Sequence, residues 1–164
     1  MPKPACFLDR DGVINVDKGY VYKQKDFEWI PGAKDAISLL NEKNYYVFII
    51  TNQSGIARGY YTEKDVNILH EFINEDLKEN NAHIDDFFYS PYHPDFPKLF
   101  SNLSNLRKPN TGMLEIAAKK WKINKSKSFL IGDKKKDILC AQNFGIKGFI
   151  FKSGNLKKYI TDLI

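Results

Sequence analysis

Residues 5–12 read Ala-Cys-Phe-Leu-Asp-Arg-Asp-Gly, and this stretch indicates the fold. Four apolar residues ended by polar residues and a glycine are typical of a buried strand in a parallel sheet. Ligands of open α/β sheets bind outside the carboxyl ends of strands, which is where Asp9 and Asp11 fall. Alternate residues of an extended chain face the same side, roughly 6.5–7 Å apart, so both carboxylates can face one site. The same pattern also occurs in ordinary polar turns.

The remaining strands and helices alternate along the chain. Each predicted strand is a short apolar run, and each predicted helix shows the i, i+3, i+4 apolar spacing, as in Ala33, Ala36, Ile37 and Leu40. This order favours an α/β fold with a doubly wound, mostly parallel sheet and flanking helices. The predicted strands are 5–8, 45–50, 86–89, 128–131 and 148–151; the helices begin at Pro31-Gly32, Thr62, Thr111, about Lys136 and Leu156; residues 90–106 read as irregular.

Length and composition restrict the class of protein. The 164 residues predict one domain over 1–164, and 43% hydrophobic with 27% charged residues is a globular balance. No run approaches the ~18 apolar residues of a membrane span, and the start lacks the apolar region of a signal peptide. Cys6 and Cys140 have no paired spacing and read as core thiols of a reducing compartment. We therefore expect a cytoplasmic protein with no membrane partner.

The net charge is +5, from 25 basic and 20 acidic residues. The lysines are scattered, so the charge suits a phosphorylated small molecule better than nucleic acid. No extra apolar face is evident, and a monomer is expected.

Polar residues follow three of the predicted strands, and these residues should meet at one edge of the sheet. They are Asp9 and Asp11 after the first strand, Thr51 and Asn52 after the second, and Asp133 after the fourth. Three such ends, supplying acids, a hydroxyl and an amide, make a plain turn a poor explanation.

Each of these residue types suits phosphoryl transfer. Asp9 is ionised at neutral pH and can attack phosphorus to form an aspartyl-phosphate. Asp11, placed among other acids, is expected to hold a proton and to act as general acid and base. Asp9, a carbonyl near Asp11, and Asp133 offer hard oxygen ligands for Mg²⁺. Lys108 is the candidate for neutralising the phosphoryl charge, with Thr51 and Asn52 donating hydrogen bonds.

Asp137 lies four residues after Asp133. It reads either as the acid that orients Lys108 or as an ordinary acid in the first turn of a helix.

Four segments resemble the motifs of the haloacid dehalogenase superfamily in the expected order: 9–14, 51–55, 107–109 and 132–137. The longer segments 17–21, 51–59 (TNQSGIARG) and 107–114 (RKPNTGML) are similar to the D-glycero-D-manno-heptose 1,7-bisphosphate phosphatases and their histidinol-phosphatase relatives. The resemblance spans roughly Cys6 to Phe151. It implies loops over the site in place of a separate cap domain.

The resemblance also implies an activity. A Mg²⁺-dependent phosphatase would remove the 7-phosphate of heptose 1,7-bisphosphate through an aspartyl-phosphate, in nucleotide-activated heptose biosynthesis. Asp9, Asp11, Thr51 and Lys108 would be catalytic; Asp9, Asp11 and Asp133 would bind the metal. Arg107 suits a second phosphate because its fork binds two oxygens, although it also reads as a surface arginine. The implied substrate-binding residues are Asp17, Lys18, Gly19, Tyr20, Asn52, Gln53, Ser54, Arg107 and Lys134.

One segment departs from the resemblance. Many relatives carry Cys-x-His and Cys-x-Cys zinc ligands before the Arg-Lys-Pro, whereas residues 90–106 contain His93 and no cysteine. One histidine cannot make a tetrahedral structural site, so no zinc is expected. Packing of Tyr92, Phe96, Leu99 and Phe100 is expected to hold this loop instead.

Three other functions stay open at this stage. A histidinol-phosphate phosphatase, or another small sugar-phosphate phosphatase, would use the same chemistry on a different substrate. A nucleic-acid 3′-phosphatase shares similar motifs, but the chain has no P-loop partner domain and no basic stripe. A metal- or phosphate-binding module would lack turnover, which a complete set of catalytic residues argues against.

Overall fold

A computed structural model describes all residues, 1–164, and is built around a five-stranded sheet. The strand order is β3-β2-β1-β4-β5, and all four pairings are parallel. The central strand β1 places Phe7 beside Phe48 of β2 and Leu130 of β4. The predicted parallel α/β sheet is therefore confirmed. The strands are β1 (Ala5–Leu8), β2 (Tyr46–Asn52), β3 (Asp86–Ser90), β4 (Phe129–Gly132) and β5 (Lys147–Ile150).

Helices cover both faces of the sheet, which explains why its inner strands are apolar without alternation. Cys6 and Leu8 face one core cluster, and Ala5 and Phe7 face the other. The first cluster also contains residues of α1, α2 and α5, and the second contains residues of α3 and α4. The helices are α1 (Ala33–Glu42), α2 (Glu63–Leu77), α3 (Gly112–Lys120), α4 (Lys135–Phe144) and α5 (Leu156–Thr161).

Local sequence signals set the ends of these helices. Thr62 precedes α2 and forms a capping box with Asp65, in which each side chain accepts a hydrogen bond from the other residue's backbone N–H. Helix α4 ends at Phe144, and Gly145 follows in the left-handed conformation with φ +88°. The start of α2 directly after Thr62 agrees with the sequence prediction.

The stretch predicted to be irregular contains a short 3-10 helix, Ser101–Leu106. Such a helix lacks the repeated apolar spacing that indicates longer helices. Leu99 is 48% exposed, so the prediction that it packs in the loop is wrong. Phe100 does pack, against the small cluster of Ile56, Tyr61 and Val66. Phe100 has a positive φ and directly precedes the 3-10 helix, so the chain changes direction just after Leu99.

Both cysteines are buried and unpaired, as expected of core thiols. None of the helices combines the length and apolar character that a bilayer crossing needs.

Candidate active site

The ends of β1 and β4 bring three buried groups together. Lys108, in the loop before α3, is fully buried, and its Nζ lies 3.0 Å from Asp9 Oδ1 and 2.7 Å from Asp137 Oδ1. Lys108 Nζ also donates to the backbone oxygen of Ile50, at 2.9 Å. Asp137 lies in the first turn of α4 and has no exposed surface. Lys108 therefore bridges Asp9, the candidate nucleophile, and Asp137.

Burial and charge act in opposite directions on this cluster. Desolvation by burial would lower the pKa of Lys108, but the neighbouring carboxylates of Asp9 and Asp137 outweigh it and raise that pKa above its usual value. Lys108 therefore stays protonated. Burial raises the pKa of Asp9 well above its usual value, Lys108 opposes this, and Asp137 and Asp133 add to it.

Asp133 and Asp9 form an oxygen-rich corner at the same edge. Ligand atoms of Asp9, Asp133 and Asp137 lie within 4.8 Å of one another. Both carboxylate oxygens of Asp137 already accept hydrogen bonds. Oδ1 accepts from Lys108, and Oδ2 accepts from the backbone N–H groups of Asp133 and Lys134. Asp133 Oδ1 is buried without any hydrogen-bond partner. An orphaned carboxylate oxygen beside a second carboxylate fits a hard cation such as Mg²⁺.

Gly12 allows the first loop to approach this corner. Its φ is +92°, and a Cβ there would clash with Asp133 Oδ2. A larger residue at position 12 would therefore displace the carboxylate of Asp133.

Several side chains hold the carboxylate of Asp11 by hydrogen bonds. Its hydrogen-bond partners are all donors. Arg10, which has no exposed surface, donates through Nη2 to both carboxylate oxygens at 3.1 Å, and Asn15 and Gln53 donate at 2.9 and 3.0 Å. Three side chains therefore hold the carboxylate of Asp11 in place.

Gln53 links Asp11 to the end of β2. Its Nε2 donates to Asp11 and, at 2.8 Å, to Thr51 Oγ1, while its Oε1 accepts from the Tyr61 hydroxyl. Burial raises the pKa of Tyr61 to about 12, so the phenol remains a donor. Thr51 accepts from Gln53 and therefore keeps its own hydroxyl proton for another acceptor.

The side chain of Asn52 makes hydrogen bonds to the backbone of Lys108. Its Oδ1 accepts from the Lys108 N–H at 2.9 Å, and its Nδ2 donates to the Lys108 carbonyl at 3.2 Å. Its position thus fixes the loop that carries Lys108, a role that the sequence did not indicate.

A cavity of about 320 Å³ opens beside these residues. Eight of the nine predicted substrate-binding residues line it. Lys18 does not, because its Nζ lies 3.3 Å from Glu28 Oε1 in an exposed ion pair. The lining residues are Asp11, Asp17, Gly19, Tyr20, Asn52, Gln53, Ser54, Tyr61, Arg107, Lys134 and Lys136.

Sequence reasoning missed Arg10, Tyr61, Lys136 and His70. His70 is buried, and its Nε2 lies 3.2 Å from Arg10 Nη1. Arg10 lies between the two motif aspartates, directly after a buried apolar strand, and an arginine at that place was the available signal. His70 gave no such signal, because its contact depends on a pairing 60 residues away.

Comparisons with known proteins identify the family of this chain. Residues 6–76 match the model of the haloacid dehalogenase-like hydrolases, and residues 105–162 match a second, HAD-hydrolase-like model. The D-glycero-beta-D-manno-heptose-1,7-bisphosphate 7-phosphatase of Rhodopseudomonas palustris is 40% identical over 163 residues, which cover 99% of this chain and 91% of that protein. The D-glycero-alpha-D-manno-heptose-1,7-bisphosphate 7-phosphatase of Photorhabdus laumondii is 43% identical over 154 residues, 92% and 84% of the two chains.

A solved structure is also similar over nearly the whole chain. It is the D,D-heptose 1,7-bisphosphate phosphatase from B. bronchiseptica complexed with magnesium and phosphate. The TM-score is 0.81 at 28% identity, covering 97% of this chain and 86% of that one. The chain therefore belongs to the haloacid dehalogenase superfamily, in the same family as these phosphatases. It is an enzyme, a phosphoric monoester hydrolase.

Proposed function

We propose that the protein is a Mg²⁺-dependent phosphatase that removes the 7-phosphate of D-glycero-D-manno-heptose 1,7-bisphosphate. The observation that carries the proposal is the Lys108 ammonium between the carboxylates of Asp9 and Asp137, beside the orphaned Asp133 Oδ1. The identity to heptose-bisphosphate phosphatases supports the substrate class.

Asp9, Asp133 and the backbone carbonyl of Asp11 would hold the magnesium ion. Bound there, the ion would neutralise charge on the phosphoryl oxygens and on the attacking carboxylate. Asp137 is not a ligand in this proposal, because Lys108 and two backbone N–H groups occupy its oxygens.

Two displacements at phosphorus make up the reaction. A carboxylate oxygen of Asp9 forms a bond to phosphorus and the ester P–O bond breaks. Asp11, which takes up a proton from solvent water before this step, gives that proton to the departing sugar oxygen. A water molecule then attacks phosphorus, Asp11 takes its proton, and the bond to Asp9 breaks to release phosphate. Arg10 stabilises the anionic Asp11 that exists between the two steps, since its guanidinium binds both carboxylate oxygens. Lys108 and the free Thr51 hydroxyl proton contact the phosphoryl oxygens.

Excess positive charge in the cavity suits a second phosphate. Arg107, Lys134 and Lys136 all line it. Burial, followed by the nearby Arg58, lowers the pKa of Arg107, and burial, followed by Lys108 and Arg107, lowers that of Lys136. Arg107 donates to the carbonyl of Tyr92 at 3.4 Å, and a dianionic phosphate would supply charged acceptors to the three cations.

Histidinol phosphate is the second candidate substrate. Asp17, Tyr20 and Tyr61 line the same cavity, and an acid beside aromatic rings suits an imidazole. The three cations favour the bisphosphate over this alternative.

The remaining features of the proposal concern surroundings and partners. We infer a cytoplasmic monomer, one domain over 1–164, that takes a small phosphorylated sugar and neither nucleic acid nor membrane. No zinc is required, because residues 90–106 hold one histidine and no thiol.

Phosphate release with Mg²⁺ tests the proposal. The substrates are both anomers of heptose 1,7-bisphosphate and histidinol phosphate, and Asp9→Asn is the blank. We expect turnover of the bisphosphate with preference for one anomer. Turnover of histidinol phosphate alone would replace the substrate and keep the chemistry. No release from any of them would refute the proposal.

A further inference from the structure

We propose that Arg58 determines substrate specificity as a positioning residue, by joining two loops around the cavity. It lies in the loop between β2 and α2 and does not itself line the cavity. The inference rests on the proposed function, and it adds a residue that the reaction chemistry does not require.

Polar contacts join Arg58 to residues of the loop without cysteines. Its Nη2 lies 3.2 Å from His93 Nε2 and 3.9 Å from Asp95 Oδ2. A guanidinium can only donate, so His93 Nε2 accepts from it in the tautomer that carries its proton on Nδ1. Arg58 therefore supplies a fixed attachment point for a segment that holds only a 3-10 helix of its own.

Aromatic contacts extend the same side chain to both loops. The guanidinium carbon lies 5.7 Å from the ring centroid of Phe96 and 6.0 Å from that of Tyr20. Tyr20 in turn packs edge-on against Tyr60, with centroids 4.9 Å apart. A planar cation can contact two rings and still donate hydrogen bonds, which an ammonium cannot do in the same way.

Both attached loops reach the cavity. Tyr20 lines it directly. In the second loop the carbonyl of Tyr92, next to His93, accepts from Arg107 Nη1 at 3.4 Å, and Arg107 lines the cavity too. Loss of Arg58 would therefore free Tyr20 and Arg107, the two cavity-lining residues that a bound substrate contacts. It would leave Asp9 and Lys108 unchanged.

Arg58 also contributes charge. Its Nε is buried without an acceptor, and its carboxylate neighbour Asp95 is distant and 69% exposed. Its positive charge helps to lower the pKa of Arg107, after the larger effect of burial. Two variants distinguish the effect of the planar guanidinium from that of its charge. Arg58→Lys keeps the positive charge and loses the guanidinium, whereas Arg58→Met loses both.

The kinetic test compares two substrates with the Mg²⁺-loaded full chain. One is heptose 1,7-bisphosphate, and the other is p-nitrophenyl phosphate, which has no distal phosphate. We expect Arg58→Met to lower the ratio of their kcat/KM values about tenfold, mainly through KM for the bisphosphate, with Arg58→Lys between it and wild type. Lys125→Met is the control, because Lys125 Nζ lies over Phe144, 3.8 Å from the ring centroid and outside this cavity.

Hydrogen exchange supplies a readout that does not need the substrate to be correct. The amides of Phe96, Leu99 and Leu103 donate within the loop, to His93, Phe96 and Phe100. They should exchange faster in Arg58→Met than in wild type or Lys125→Met. If Arg58→Met fails to fold, Arg58→Lys carries both measurements.

Unchanged exchange together with an unchanged ratio would overturn the inference, as would equal losses on both substrates. Failure of the proposed function looks different. Wild type would then not hydrolyse the bisphosphate, while the exchange of the loop amides would still respond to Arg58.

Discussion

The catalytic corner and the rim of the cavity are built on different principles. At the corner, Lys108 is 1% exposed and makes hydrogen bonds to two carboxylates and a strand carbonyl. At the rim, Tyr20 is 47% exposed and is held by ring contacts. The corner follows the ends of strands, whereas the rim lies on the loops around 17–20, 54–61 and 92–107.

This difference separates chemistry from recognition. Charges that are buried and paired keep one geometry, which an in-line displacement at phosphorus requires. Loops that are held by a few side chains can change their substrate contacts while the sheet stays the same. Variants of the corner should therefore affect every substrate, and variants of the rim should affect discrimination between substrates.

Replacing the nucleophile gives the largest expected effect. Asp9→Asn cannot form an aspartyl-phosphate, so hydrolysis of every phosphate ester should fall by about 10⁴-fold or more. Arg107→Met, the matched rim variant, should lower kcat/KM chiefly for the bisphosphate, as measured beside p-nitrophenyl phosphate. If Arg107→Met reduced both substrates as strongly as Asp9→Asn does, the division between corner and rim would fail.

Removing the bridging cation should destabilise the fold. Lys108→Met leaves Asp9 and Asp137 buried beside each other without a cation, at a cost of about 3–5 kcal/mol in the free energy of unfolding. Urea denaturation measures this. Lys120→Met breaks an exposed pair with Asp86 and should cost less than about 1 kcal/mol. Equal costs for the two variants would mean that the buried cluster contributes no more than a surface ion pair.

Magnesium should stabilise the folded protein through the same corner. At a concentration 100 times its Kd, the ion should add about 2.7 kcal/mol to the free energy of unfolding, and EDTA should remove that gain. Asp133→Asn, which alters the orphaned ligand, should abolish most of it. Asp17→Asn, at the exposed rim, should retain it. A gain that survives in Asp133→Asn would place the ion elsewhere.

Acid should lower the free energy of unfolding through His70, which contacts Arg10 beside Asp11. Burial, and then Arg10, lowers the pKa of His70 well below its usual value of about 6.5. Below about pH 6.5, His70 binds a proton in the unfolded chain but stays neutral in the folded protein. The free energy of unfolding should therefore fall with falling pH, by up to about 1.4 kcal/mol per pH unit from this residue.

His70→Gln should remove that part of the pH dependence, measured as the difference from wild type so that other groups cancel. His83→Gln, an exposed histidine, is the control. Identical pH profiles for wild type and His70→Gln would show that His70 does not titrate between the two states.

The corner could be predicted from the sequence because its residues obey local rules. Asp9, Thr51 and Asp133 each follow an apolar run, and parallel strands of one sheet end at one edge. The sheet, the capping box at Thr62 and the helix end before Gly145 follow from equally local signals. For Asp137 the sequence left two interpretations open, and the hydrogen bond from Lys108 supports the pairing of the acid with the lysine.

The supports of the corner and rim could not be predicted in this way. Arg10, His70 and Arg58 act through contacts between segments distant in the chain, such as Arg10 with His70 and Arg58 with His93. No local pattern indicates which loop an exposed-looking arginine or histidine will meet. Leu99 shows the reverse error, because an apolar residue in a loop reads as packed and is in fact exposed.

Strand β1 pairs with both β2 and β4, and the groups from Asp9 to Asp137 meet only when both pairings exist. Loss of hydrolysis should therefore measure cooperative unfolding. Activity should be lost at the same urea concentration at which the sheet unfolds, with no partly active intermediate. A chain cut anywhere between residues 11 and 132 separates the two halves of the machinery. Its activity would depend on the fragments reassociating, so complementation between fragments is a direct measure of how tightly this sheet holds together.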